Sequence, residues 1–191
     1  MNIMFITGNR EKIDRALHYF TSSQILLQPK KIPCPEIQSE DLEAIATASA
    51  LYAAEQLQSP VVTSDVGFYI PALNGFPGPY AAYVEHVLDH TDILNMMAVK
   101  EERRAFYREV LCFCDGRPGH DPTVRLFSTI TEGMLATTPS GTHGYNFDKI
   151  FIRKGDDKTM AHLDDSQRAI AYSGEHWKEL KTFIKSNFPL S

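Results

Sequence analysis

An aspartate at the end of an apolar segment is the first residue that could carry chemistry. The run Pro60 to Val62 is typical of the start of a buried strand, and Asp65 follows it. Ligands of open α/β sheets bind beyond the carboxyl ends of strands, so an acid there could bind Mg²⁺ or orient a water molecule. Aspartate is also a frequent turn or helix cap, and a structural role is therefore the alternative.

The segment that follows Asp65 is rich in glycine and proline, with the sequence NGFPGPY over residues 74–80. Glycine permits close approach to the backbone and proline fixes the backbone, so we expect a pre-shaped loop. A rigid loop next to a strand-end acid indicates one wall of a cleft.

A second candidate segment is TGNREK, residues 7–12. An apolar run ends at Thr7, Gly8 allows a tight turn, and helical spacing of apolar residues begins at Arg10. Backbone N–H groups at a helix start favour anions, and Lys12, one turn into the helix, could reach a phosphate. The spacing is not that of a Walker A loop, and an ordinary strand–turn–helix with an exposed lysine is the alternative.

Composition limits the class of protein. The 191 residues favour one domain, 43% hydrophobic and 23% charged residues are ordinary for a soluble protein, and a net charge of -5 argues against nucleic-acid or membrane-surface binding. Three cysteines make no disulfide framework and show no zinc-site spacing, which indicates reduced thiols in a cytoplasmic protein. No apolar run approaches the roughly 20 residues that span a bilayer.

The hydrophobic pattern predicts an α/β fold with a mixed, twisted central sheet flanked by helices, in two lobes with a cleft between them. Strands are expected at 2–7, 24–31, 61–65 (continuing extended over 67–70), 105–115 and 123–135, with a loop entering a strand at 145–152. Helices are expected from residue 10 onward and at 41–58, 92–100 and 174–187.

Five segments, in this order, resemble the inosine triphosphate pyrophosphatase (Ham-type) family. They are TGNREK, PEIQ at 35–38, SDVGFYIPALNGFPGPY at 64–80, VRLF at 124–127 and YNFDKIF at 145–151. The resemblance implies a single pyrophosphatase-like domain over 1–191. It also implies Mg²⁺-dependent hydrolysis of deaminated purine triphosphates such as ITP and XTP to monophosphate and pyrophosphate. A homodimer that clears aberrant nucleotides from the cytoplasmic pool is the further implication.

The resemblance also implies roles for residues at the triphosphate end. Thr7, Gly8, Asn9 and Lys12 would bind the phosphates, and Glu36 would help to hold the metal. Asp65 would bind metal or activate the attacking water, which makes Asp65 and Lys12 the expected catalytic residues.

At the base end, Phe147 and Asp148 match an aromatic–aspartate pair that lines the base pocket. Lys149 stands where the family has proline, and Arg168 lies where the family has a lysine near the base. Both are therefore expected to contact substrate.

The chain departs from the family pattern at three further places. Ser64 stands where a second acid is usual, and Ser49 stands where a lysine is usual. Tyr172-Ser173-Gly174 aligns with a Ser-His-Arg motif that grips the base, and His176 is the nearest histidine. These losses leave a second hypothesis open: a nucleotide-binding module of the same fold, with altered base preference or little turnover.

Overall fold

The computed structural model describes residues 1–21, 23–119 and 121–188. Its strands are β1 (Asn2–Ile6), β2 (Leu26–Lys30), β3 (Pro60–Tyr69), β4 (Pro77–Gly78), β5 (Arg104–Asp115), β6 (Thr123–Leu135) and β7 (Phe151–Arg153). Its helices are α1 (Arg10–Phe20), α2 (Leu42–Leu57), α3 (Ala81–Val87), α4 (His90–Met96), α5 (Asp165–Ala171) and α6 (Glu175–Asn187). Three short 3₁₀ turns lie at Pro71–Leu73, Phe147–Lys149 and Met160–His162.

The strands form a mixed sheet in the order β2-β1-β3-β5-β6-β7, and β4 pairs with β3. β1 runs parallel to both β2 and β3, whereas β4 is antiparallel to β3 and β7 to β6. The prediction of a mixed α/β fold is confirmed. The two lobes with a cleft, and the single domain over 1–191, stay predictions.

The described residues group into two compact units. The first takes residues from 1–65, 109–129 and 173–191, and the second from 66–108 and 130–172. In the first unit, Trp177 of α6 is fully buried and meets Phe5 of β1 edge to face, with ring centroids 5.4 Å apart. In the second, Phe68 stacks on Phe147 with centroids 4.6 Å apart.

Small residues define the other core of the first unit. Four alanines of α2, including Ala50 and Ala54, pack near Val110, Cys112 and Cys114 of β5, and their small side chains let helix and sheet approach closely. All three cysteines of the chain are free. Burial raises the pKa of Cys112 to about 12, so this thiol is unreactive at neutral pH.

Two helices, α3 and α5, were not expected from the apolar pattern, and α4 begins two residues earlier than the expected range. All three are seven residues long, which is too short for a periodic signal. End signals for two of them are present in the sequence. Asp89 with Asp92, and Asp164 with Gln167, form capping boxes at the starts of α4 and α5. Within the described ranges, no helix is long and apolar enough to cross a membrane.

Candidate active site

The parallel pairing of β1 with its neighbours brings three chain segments together at one edge of the sheet. Ile6 at the end of β1 is in register with Thr63 of β3 and with Lys30 of β2. The chain therefore leaves β1 through Thr7 and Gly8 beside the Ser64–Asp65 segment and beside Lys31. This is the edge at which the sequence predicted a ligand site.

A pocket of about 260 Å³ opens at this edge and lies within the first unit. Its lining is mostly polar and combines the β1 turn, the loop after β2, the middle of β3 and one residue of α2. Asp65 was expected at a strand end, but it lies within β3, which continues to Tyr69. The lining residues are Ile6, Thr7, Gly8, Lys31, Ile32, Pro33, Cys34, Glu36, Ser49, Thr63, Ser64 and Asp65. Four of the predicted site residues, Thr7, Gly8, Glu36 and Asp65, are thus brought together.

The two other predicted triphosphate residues adjoin this lining through hydrogen bonds. Asn9 is the N-cap of α1, and its Oδ1 accepts from the Lys12 backbone N–H at 3.1 Å. Thr7 Oγ1 accepts from the Asn9 backbone N–H at 3.1 Å, which ties the cap to the pocket wall. Lys12 Nζ donates to the Ser64 carbonyl oxygen at 2.5 Å. The Lys12 ammonium is therefore held beside the segment of β3 that carries Asp65.

Asp65 is a half-buried carboxylate in a negatively charged environment. Burial raises the pKa of its carboxyl, the Lys12 ammonium lowers it, and the charges of Glu36 and Glu109 raise it again, so that the net pKa lies above the usual value. Two carboxylates that repel one another across a polar pocket are what a divalent cation would relieve.

The donor set fits Mg²⁺. Among the described residues there is no group of three or more His, Cys, Asp or Glu placed to hold a metal ion. Mg²⁺ is commonly held by one or two carboxylates together with water and phosphate oxygens, so Glu36 and Asp65 suffice for the protein's share. Cys34 also lines the pocket, but burial and the charge of Asp65 raise the pKa of its thiol, which keeps it in the neutral form.

The residues predicted to line the base pocket belong to the second unit, and none of them lines the pocket described above. Phe147 and Asp148 are buried in the 3₁₀ turn Phe147–Lys149, and Lys149 is half-buried. Arg168 of α5 is 2% exposed. In this structure, three of the four side chains are therefore part of the core.

Asp148 is surrounded by donors. Its Oδ2 accepts from the Tyr145 backbone N–H at 2.9 Å and lies 3.4 Å from Arg168 Nε, while its Oδ1 accepts from the Tyr172 hydroxyl at 3.0 Å. A side chain at Gly144, whose φ is +72°, would overlap this carboxylate. Tyr172, one of the residues aligned with the missing Ser-His-Arg motif, thus acts here as a partner of Asp148.

Sequence reasoning missed a buried polar cluster in the first unit. Glu109 of β5 accepts from Arg15 of α1 and from the Ser64 hydroxyl, and His176 of α6 lies against the same carboxylate. His176 is fully buried there. Polar residues at 15 and 109, in a helix and a strand 94 residues apart, leave no spacing signal in the sequence.

The fold and this pocket define an α/β protein with a polar pocket where β1 ends beside the middle of the parallel strand β3. The model of the Ham1 family matches residues 3–181, and the chain belongs to that family. The resemblance noted in the sequence is thereby confirmed.

Known relatives and a solved structure align with nearly the whole of this chain. A dITP/XTP pyrophosphatase of Methanopyrus kandleri is 39% identical over 188 residues, which is 98% of this chain and 98% of the relative. One of Thermococcus kodakarensis is 31% identical and covers 98% and 99%. The structure of a HAM1 protein from Coxiella burnetii aligns with a TM-score of 0.80 at 23% identity, covering 97% of this chain and 99% of that one, and so supports the fold.

The raised pKa of Asp65 predicts that Asp65→Asn stabilises the metal-free protein. Below the pKa of an unfolded aspartate, about 3.9, the carboxyl is protonated in both states and costs nothing. The cost grows as pH rises from there through the raised folded pKa, and it is then constant. Melting temperatures measured with a chelator should therefore rise in Asp65→Asn at pH 8 and change little near pH 4.

Asp157→Asn, at an exposed position, is the matched control and should leave the melting temperature unchanged at both pH values. A lower melting temperature for Asp65→Asn at pH 8 would show that the carboxylate stabilises the fold and would contradict this account.

Proposed function

We propose that this protein hydrolyses nucleoside triphosphates to a monophosphate and pyrophosphate with Mg²⁺. The observation that carries the proposal is that Glu36 and Asp65 line the same pocket as the Thr7–Gly8 turn, which precedes α1. The printed names of the relatives, dITP/XTP pyrophosphatase, support the same chemistry.

Different residues of the pocket bind the phosphates, hold the metal and orient the attacking water. The triphosphate lies along the Thr7–Gly8 turn, where backbone N–H groups and the Lys12 ammonium bind its oxygens. Lys31, which also lines the pocket, supplies a positive charge in a lining where residue 49 is serine. Glu36 and Asp65 would hold Mg²⁺, which supplies neutralisation of the phosphate charge when it is bound.

Asp65 orients the attacking water. The water oxygen attacks the α-phosphorus, the bond from that phosphorus to the bridging oxygen of the β-phosphate breaks, and pyrophosphate leaves with the electron pair. The carboxylate of Asp65 accepts a hydrogen bond from the water and takes up the released proton.

The substrates we propose are deaminated purine nucleotides, such as ITP and XTP, and removing them from the cytoplasmic nucleotide pool is the proposed role. The base end argues for a looser preference among bases. Asp148 already accepts from Tyr145 and Tyr172, and Phe147 is stacked on Phe68. These groups have less capacity to discriminate a purine edge than unengaged donors and acceptors would have.

The exposed face of α3 supports a homodimer. Tyr83 and Val87 are 67% and 55% exposed, and Tyr80 just before the helix is 42% exposed. Aromatic residues are enriched at protein interfaces. Light scattering on the purified protein should give about twice the chain mass of 21.5 kDa, and the chain mass itself would contradict a dimer.

Replacing either pocket carboxylate should abolish metal-dependent turnover. We expect Asp65→Asn and Glu36→Gln to lower kcat/KM for ITP by about a hundredfold or more, because each removes a metal ligand and Asp65→Asn also removes the group that orients water. Pyrophosphate release with and without Mg²⁺ is the measurement. Glu40→Gln is the matched control, since Glu40 is an exposed carboxylate four residues from Glu36 and does not line the pocket.

Wild-type activity in both carboxylate variants would contradict the site. A folded wild-type protein that releases no pyrophosphate from any nucleotide would instead favour the second hypothesis, a nucleotide-binding module with little turnover.

A panel of triphosphates tests the base end separately. We expect kcat/KM for ITP and XTP to exceed those for GTP and ATP by roughly tenfold rather than by several orders of magnitude, because a single hydrogen bond, worth about 1.5 kcal/mol at most, sets the difference. A preference of ten-thousandfold or more would show that Asp148 and Phe147 leave the core to read the base.

A further inference from the structure

The buried carboxylate of Glu109 is held by three side chains. Arg15 Nη1 donates to its Oε2 at 2.6 Å, and the Ser64 hydroxyl donates to its Oε1 at 2.7 Å. His176 Nε2 lies 3.3 Å from Oε2. Glu109, Arg15 and Ser64 are 4%, 5% and 6% exposed, so the cluster is nearly dry.

These contacts join the buried cluster to the pocket through a closed chain of hydrogen bonds. Lys12 and Arg15 lie three residues apart on α1, and residues at this spacing share a helix face. Lys12 Nζ donates to the carbonyl oxygen of Ser64, while Arg15 reaches the carboxylate that binds the hydroxyl of the same serine. The path therefore runs from Lys12 through Ser64, Glu109 and Arg15 back to α1.

A buried ion pair of this kind is weak evidence for a stabilising role. Burial raises the pKa of Glu109, but Arg15, His176 and Ser64 together lower it by more than burial raises it. The net pKa is therefore well below the usual range, and the carboxylate stays ionised. Removing two charges from water is costly, and apolar pairs of similar volume are often as stable or more stable. The specific benefit of the cluster is the geometry that it imposes on its partners.

We propose that Glu109 is a positioning residue for the phosphate-binding pocket. Through the Ser64 hydroxyl it fixes the part of β3 that precedes Asp65, and through Arg15 it fixes the face of α1 that carries Lys12. This inference rests on the proposed function. It adds that the separation of the Lys12 ammonium from the Asp65 carboxylate is set from the buried side of the strand.

The test separates geometry from stability. The double variant Arg15→Met/Glu109→Met replaces the ion pair by an apolar pair, and its melting temperature should equal or exceed that of the wild type. The double variant loses the hydrogen bonds that link Ser64 and α1 through Glu109. The kcat/KM for ITP should therefore fall roughly ten- to hundredfold, since displacement of a catalytic group by about 1 Å can cost a hundredfold.

Ser64→Ala is the second variant and guards against misfolding of the first. It keeps the Arg15–Glu109 pair and the carbonyl that binds Lys12, and removes the hydroxyl link alone; we expect a fall in kcat/KM of roughly tenfold. Thr159→Val is the matched control, because it also deletes a buried hydroxyl, one that donates to the Ser140 carbonyl oxygen at 2.8 Å in the second unit. Its kcat/KM should stay at the wild-type value.

The inference is overturned if kcat/KM stays within twofold of wild type in Ser64→Ala and in a folded double variant. If the wild type hydrolyses no nucleotide, the proposed function fails by itself, and the rise in melting temperature caused by pyrophosphate with Mg²⁺ replaces kcat/KM as the readout. A smaller rise in the variants than in the wild type then supports positioning by Glu109, whereas equal rises, or no rise in any protein, overturn it.

Discussion

The parallel pairing of β1 with β3 is the constraint on which the site depends. Because Ile6 is in register with Thr63, the Thr7–Gly8 turn lies beside the Ser64–Asp65 segment of β3, which continues in the sheet to Tyr69. The apolar run before Asp65 is typical of a buried parallel strand, so the polar residues that follow it stand out as a point where the chain can meet a ligand. The pocket forms where β1 ends beside this polar segment.

Electrostatics give this edge its character. Burial and two neighbouring carboxylates, Glu36 and Glu109, disfavour the ionised form of Asp65, and the Lys12 ammonium offsets part of this effect. A cation bound together with a polyanion would relieve this repulsion. On the other side of the strand, the Glu109 carboxylate forms an ion pair with Arg15. The two carboxylates thus differ in role: Glu109 is satisfied within the fold, and Asp65 is left for a ligand.

The sequence predicted the fold class because that class rests on local signals, and the same kind of signal singled out Thr7, Gly8, Glu36 and Asp65, which line one pocket in the structure. Strand-to-helix turns, the acid after an apolar run and the Gly/Pro segment are all readable within about twenty residues. The Arg15–Glu109 pair and the Tyr172–Asp148 hydrogen bond were missed because each joins residues whose proximity is created by tertiary packing. The short helices α3 and α5 were missed because seven residues show little periodicity.

The central claim is that Glu36 and Asp65 form a divalent-cation site that faces the phosphates. Titration of Mn²⁺ in the presence of pyrophosphate, followed by electron paramagnetic resonance of the free ion, tests it most directly. The account predicts strong binding in the wild type that is reduced at least tenfold in Asp65→Asn and in Glu36→Gln. Equal Mn²⁺ affinity in all three proteins would place the cation elsewhere and contradict the account.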